Sequence, residues 1–298
     1  RLNIMKKHMD QNKSVYLQLT SSHSRIANYW KYFIGQTEQL QRLNVVEKKR
    51  KEEEKFMNWQ EDNNMSTTLM SDFAKMYADY EPYAKHTIYY SEAFRAPALT
   101  RMAASLKPLY DAYGRHNGKL VADTMKKYIS IAQNGYRAAI KDYEKSTDKE
   151  LFAEMTRLYY MNVPRNQQPA IYTSILGGAS GGSKAPYVTY ATSVYSSSFL
   201  TDSNKFNAFC KAPSYGKLKG DAAMNYTLSF VNNFNKNYLP KVEAFNNRKA
   251  DLAREYVKQL MQMNRGKLMY PDANSTMRVT YGKVLGYQPT DGVKYTYY

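Results

Sequence analysis

Residues 28–56 read NYWKYFIGQTEQLQRLNVVEKKRKEEEKF. Apolar side chains at Trp30, Phe33, Ile34, Leu40, Leu43 and Val46 recur in steps of three, four and seven, the period of one helix face. From Glu47 to Lys55 the stretch becomes a run of charges of both signs. Glu47–Lys51, Lys48–Glu52, Lys49–Glu53 and Arg50–Glu54 fall four apart, the spacing at which opposite charges support a solvated helix surface. The segment therefore predicts one long amphipathic helix, and the same period runs through most of the chain. Leu69, Phe73, Met76, Tyr77 and Tyr80 carry it beyond the polar break Glu61–Ser66. Pro82, Pro97 and Pro108 are expected to divide the next stretch into shorter helices, because proline lacks an N–H and crowds the preceding turn. Gly118 to Lys145 is another helical pattern, and Thr147-Asp148-Lys149-Glu150 has the form of a capping box opening the following helix. Val242 to Met263 carries two adjacent stripes, Leu252/Tyr256/Leu260 and Ala253/Val257/Met261, which read as a buried face.

Near the end the period changes. Pro271-Asp272-Ala273-Asn274 reads as a turn, after which Met277, Val279 and Tyr281 alternate with polar residues. Gln288-Pro289-Thr290-Asp291-Gly292 reads as a second turn, followed by Val293, Tyr295 and Tyr297 in alternation. Two strands alone are marginal, so this hairpin calls for further strands or a helix surface. The expected fold is mainly α: a large irregular helical domain over residues 1–268, with a short C-terminal β-hairpin over 269–298. The chain opens at Arg1 without a signal pattern and stops at Tyr298 inside an apparent strand, so a piece of a longer protein is expected.

Composition narrows the function classes. The 298 residues hold 43 Lys and Arg against 26 Asp and Glu, a net charge of +17, together with 29 tyrosines. No run approaches the roughly 18 apolar residues that a membrane-spanning helix needs. The single Cys210 excludes an intrachain disulfide and a cysteine-based zinc cluster. His8, His23, His86 and His116 are far apart in sequence and match no zinc spacing, so no metal or other cofactor is expected. The positive charge is spread rather than striped, with 12 basic and 6 acidic side chains in residues 1–60 and 7 and 4 in residues 251–298. Nucleic acid is thus not the favoured partner. A freestanding basic helical module that binds nucleic acid or another anionic partner stands as the alternative function. Gly178-Ala179-Ser180-Gly181-Gly182 matches G-x-S-x-G, but the nucleophile elbow requires a preceding strand. Here Ile171–Leu176 follows a helical region and Pro169, so Ser180 reads as part of a loop. Lys184 follows Ser183 instead of the final glycine, which excludes a phosphate-binding loop. Acidic pairs such as Asp142/Glu144 are local and do not suggest two-carboxylate catalysis.

Three blocks carry a resemblance. Ala27-Asn28-Tyr29-Trp30-Lys31-Tyr32-Phe33-Ile34-Gly35, Tyr90-Ser91-Glu92-Ala93-Phe94-Arg95-Ala96-Pro97 and Tyr270-Pro271-Asp272-Ala273-Asn274-Ser275-Thr276-Met277-Arg278-Val279-Thr280-Tyr281-Gly282 resemble, in that order, the bacterial dipeptidyl-peptidase 7 and 11 family of serine exopeptidases. The resemblance implies a chymotrypsin-like double β-barrel with a large helical insertion that caps the cleft. It implies that the catalytic His and Asp precede this region and that the Ser follows it. No triad residue would then lie in this chain, which alone would be inactive. The partners implied are peptide N-termini and the two catalytic barrels, with a homodimer left open, and the location implied is periplasmic or secreted. Asn28 is similar to an asparagine that, in the family, holds the substrate's α-amino group. The chemistry suits it, since an amide oxygen accepts from an ammonium without adding charge. The competing role for Asn28 is to cap or bridge helices.

Overall fold

The computed structural model describes residues 1–267, 277 and 279–298. Among them the chain runs as α1 (Leu2–Gln11), α2 (Lys13–Arg42), α3 (Val45–Asp62), α4 (Thr68–Tyr89), a π-helical turn (Tyr90–Phe94), α5 (Ala98–Ser105), α6 (Lys107–Arg115) and α7 (Ala122–Ile140). It continues as α8 (Lys145–Asn162), α9 (Ile171–Leu176), α10 (Ala185–Ser197), α11 (Ser203–Lys211), α12 (Tyr215–Gly220), α13 (Ala222–Asn237) and α14 (Leu239–Met263), then β1 (Tyr287–Thr290) and β2 (Val293–Tyr295). The mainly helical fold with a short C-terminal hairpin is as expected. The chain divides into two compact units, Arg1–Tyr256 and Val257–Tyr298.

In the first unit, α5, α7, α8, α10 and α13 surround one core. Its centre is aromatic. Phe94 stacks on Phe230 at 4.7 Å between ring centroids, Tyr90 on Phe234 at 3.9 Å, and Phe152 meets Tyr226 at 4.4 Å. Such rings bury large apolar areas, and a buried tyrosine also needs a partner for its hydroxyl. Three at the centre have one. Tyr226 Oη lies 2.8 Å from Thr156 Oγ1, Tyr172 donates to the Thr156 carbonyl at 2.8 Å, and Tyr195 donates to Asp148 at 2.6 Å. Much of the tyrosine excess is therefore internal structure. A smaller cluster, Met5, Met9, Leu19 and Leu151, joins the α1–α2 pair to α8.

Several local expectations are corrected. The predicted helix over 28–56 is two helices, because Asn44 takes a left-handed conformation (φ 47°) and ends the run begun at Lys13. Its apolar stripe is not buried: Trp30 is 56% exposed and Phe33 63%. The charged half of α3 pairs mostly at three-residue spacing, Arg50 with Glu47 at 2.9 Å and Lys49 with Glu52 at 2.6 Å, with Glu47–Lys51 looser at 3.9 Å. Pro82 lies inside α4 without ending it, whereas Pro97 and Pro108 do mark helix starts.

The cap of α8 is Glu144, which accepts from the Ser146 and Thr147 amides at 2.9 and 2.8 Å; Thr147 is not the cap. Asp148 serves another helix. Its carboxylate accepts from the Ala98 and Leu99 amides, 2.6 and 3.0 Å, at the otherwise uncapped start of α5. In α14, Leu252 is buried and Tyr256 half-buried, but Val257 and Met261 are exposed, so only one of the two stripes faces inward.

In the second unit the hairpin is shorter than predicted. Asp291-Gly292 alone forms the turn, with Gly292 at φ 79°, and Thr290 pairs with Val293 and Tyr287 with Tyr295. Gln288-Pro289-Thr290, expected in the turn, belong to β1, and residues 279–281 are not in a strand. Gly292 supplies the positive φ of this turn without a steric penalty, and Asp291 keeps an ordinary negative φ. The expected turn at Pro271–Asn274 lies outside the described residues.

Candidate functional site

The first two sequence blocks, more than fifty residues apart, meet at one cavity. A space of about 840 Å³ lies between the start of α1, α2, the π-helical turn and α8. From α2 it takes His23, Ile26, Ala27, Trp30 and Lys31, spaced as one helix face. From the other block it takes Glu92 and Ala93, and Met155 and Leu158 close the floor. The walls are largely apolar and the charges sit at Lys31, Glu92 and Arg1, with Arg1 3.4 Å from Glu92. The π-turn is what brings Glu92 to the cavity while Phe94 points into the core, since π-bulges shift the register of side chains by one. No sequence period announces such a turn.

Asn28 is not part of that cavity. At about 100° per residue, a position one beyond Ala27 lies on another face, shared with Tyr32 and Gly35 four and seven residues on. Asn28 is exposed in the middle of α2 and, among the described residues, its amide makes no hydrogen bond. It neither caps a helix nor bridges two. Tyr29 and Trp30 beside it are more than half exposed.

The remaining candidates resolve as structure. Ser180 is exposed, follows α9 and a turn, and has no histidine or carboxylate hydrogen-bonded to it among the described residues. Its loop is less free than its composition suggests: Tyr187 donates to the Gly181 carbonyl at 2.9 Å, and a Cβ on Gly181 would run into the ring of Tyr160. His86 is fully buried. Gln167 Nε2 donates to the Pro82 carbonyl, which turns Gln167 Oε1 toward His86 Nδ1 at 3.2 Å, and Tyr159 Oη lies 2.6 Å from Nε2. Burial drives the His86 pKa down to about 4, so the imidazole is neutral and accepts from Tyr159. Burial likewise pushes the Asp148 carboxyl above its usual range, against the three hydrogen bonds that favour its charge.

The family model for peptidase S46 matches residues 1–298. The chain belongs to the peptidase S46 family. An Asp/Glu-specific dipeptidyl-peptidase of Flavobacterium psychrophilum is 27% identical over 96% of this chain and 39% of its own length. A dipeptidyl-peptidase 7 of Phocaeicola vulgatus is 28% identical over 100% of this chain and 41% of its own. The crystal structure of Porphyromonas endodontalis DPP11 with the dipeptide Arg-Glu superimposes with a TM-score of 0.77 at 21% identity, covering 99% of this chain and 41% of that one. The S46 chain thus spans about two-fifths of the length of the relatives it matches, and the solved relatives share its helical fold. Among its described residues, no helix is long and apolar enough to cross a membrane.

Proposed function

We propose that this chain is the helical part of an S46 dipeptidyl peptidase, capping an active-site cleft whose catalytic residues lie in other parts of the enzyme. Asn28 accepts a hydrogen bond from the α-ammonium of a bound peptide. The β1–β2 hairpin belongs to the second catalytic barrel, and the enzyme works in the periplasm or outside the cell.

One observation carries the reading. Asn28 is an exposed amide within a 30-residue helix, and it has no hydrogen bond of its own among the described residues. A residue with no local duty is available to a ligand. An ammonium held at a set distance from the nucleophile would act as a ruler, so that only dipeptides leave. Solved DPP11 relatives hold Arg-Glu and Arg-Asp, and they supply the substrate class by analogy.

The test is Asn28→Ala in the full-length enzyme. A hydrogen bond to a charged group contributes about 1.5–3 kcal/mol, so kcat/KM for dipeptide release should fall roughly 10- to 100-fold. The melting temperature should stay within a degree or two, because Asn28 supports nothing in the fold. Unchanged kinetics on dipeptide substrates would remove the role proposed for it.

A further inference from the structure

We propose that the surface formed by the α6–α7 loop and the Lys211–Lys219 segment docks on a bilayer of anionic lipid, with Val121 entering the headgroup layer. The two stretches are about a hundred residues apart in sequence and adjoin in the fold. Tyr113 donates to the Pro213 carbonyl at 3.2 Å, and the Tyr215 ring packs on Tyr113 and Tyr110 at 5.7 and 5.3 Å between centroids. A Cβ on Gly118 would stand 3.5 Å from that ring, and one on Gly114 would stand 3.4 Å from its hydroxyl. Lys119 and Arg115, the chain neighbours of those glycines, are thus brought beside the same ring as Lys219, whose Nζ lies 5.4 Å from its centroid.

Arg115, Lys119, Lys211, Lys217 and Lys219 are all exposed, and none has an ion pair among the described residues. Residues 112–122 and 203–220 contain no Asp or Glu. The acids bordering them are mostly engaged elsewhere. Asp111 pairs with Lys107 at 2.5 Å, Asp202 caps α11, and the buried Asp221 caps α13. Asp123, in the first turn of α7, is the remaining one. Set against one cation, it leaves four unbalanced.

Positive charge alone suits any polyanion, and three features select a lipid surface. Four of the five cations are lysines, compact charges that meet phosphates without the planar fork used to read bases. Tyr110, Tyr113 and Tyr215 pack on one another, and Lys219 stands over Tyr215, so their rings offer no platform for base stacking. Val121, two residues from Lys119, is 71% exposed, while Leu120 beside it packs against the core and anchors the loop. An apolar tip among lysines gains nothing from a nucleic-acid backbone. At a bilayer it leaves water while the lysines stay at the lipid phosphates.

The test uses the full-length enzyme and vesicles of phosphatidylcholine with and without phosphatidylglycerol, read by co-sedimentation. Binding to the phosphatidylglycerol vesicles should be at least tenfold tighter than to phosphatidylcholine alone and should weaken as salt rises. Each cation near an anionic surface is worth roughly fivefold in binding, so Lys217→Gln with Lys219→Gln should weaken it at least tenfold. Lys119→Gln with Arg115→Gln should do the same, and carries the test should the first pair lower the melting temperature. Val121→Ser should weaken vesicle binding about threefold. Equal binding to both vesicles, binding to neither, or binding unchanged in both double variants overturns the surface. Displacement from the vesicles by a mixed-sequence oligonucleotide at equal phosphate concentration overturns the lipid as partner. Vesicle binding unchanged in Val121→Ser overturns the role of the tip.

Discussion

The α8–α13 core and the α2 helix use the same aromatic residues at the same helical spacing, with opposite results. In the core, Phe152, Tyr159, Tyr226 and Phe230 are at most 1% exposed, and the hydroxyls of Tyr159 and Tyr226 have partners. In α2, Tyr29, Trp30, Tyr32 and Phe33 are all more than half exposed. A periodic stripe marks which face of a helix is apolar. What covers that face depends on chain elsewhere, and in α2 nothing within the described residues does so. The core stripe holds the fold together, while the α2 stripe is surface.

That contrast can be broken by substitution, and the largest effect belongs to the core. Phe230→Ala should destabilise this chain by about 3–5 kcal/mol, the usual cost of emptying a large aromatic site, read from the denaturant midpoint. An effect under 1 kcal/mol would mean that the stacked rings do not form one packed core.

His86 tests the same core by pH. Its folded pKa, about 4, lies below the ordinary 6.5, so the unfolded chain binds more protons between those values. The neutral imidazole's contribution is therefore complete above pH 6.5 and is lost as pH falls toward 4. The difference amounts to roughly 3 kcal/mol. Denaturation midpoints from pH 4 to 7 should show this slope, and His86→Asn should flatten it.

Gly181→Ala should cost about 1–3 kcal/mol by forcing Tyr160 out of place, measured by thermal melting. Gly35→Ala should do the reverse. A Cβ there meets nothing within 4 Å, and alanine exceeds glycine in helix preference by about 1 kcal/mol, so the melting temperature should rise. Phe33→Ala is expected to change the stability of this chain by less than about 0.5 kcal/mol. A loss comparable to that at Phe230 would erase the distinction between the two regions.

The parts of the fold that were legible in the sequence are those decided within a few residues. Helical periods located most of the helices, and Asp291-Gly292 carried its own turn. Where a partner lies far along the chain, local reading failed. Thr147-Asp148-Lys149-Glu150 has the pattern of a cap, but the core claims Asp148 for α5 and leaves the capping to Glu144. The 28–56 period crossed Asn44 because asparagine tolerates both helix and the left-handed turn that ends it. At the candidate site, Asn28 was visible through a resembled motif and not through any periodicity. The cavity beside it was not visible, since it depends on a π-turn that re-aims Glu92.

Asp148 also couples the formation of three separate helices. Pro97 offers α5 no side-chain cap, so two amides at the start of that helix wait for an acceptor about fifty residues downstream. In the isolated segment those amides face water and an eight-residue helix falls below the length that sustains itself. Formation of α5 is thereby tied to the docking of α8, and Tyr195 ties α10 to the same carboxylate. Three segments spread over about a hundred residues should then gain and lose amide-exchange protection as one cooperative unit, with Asp148 as their common joint.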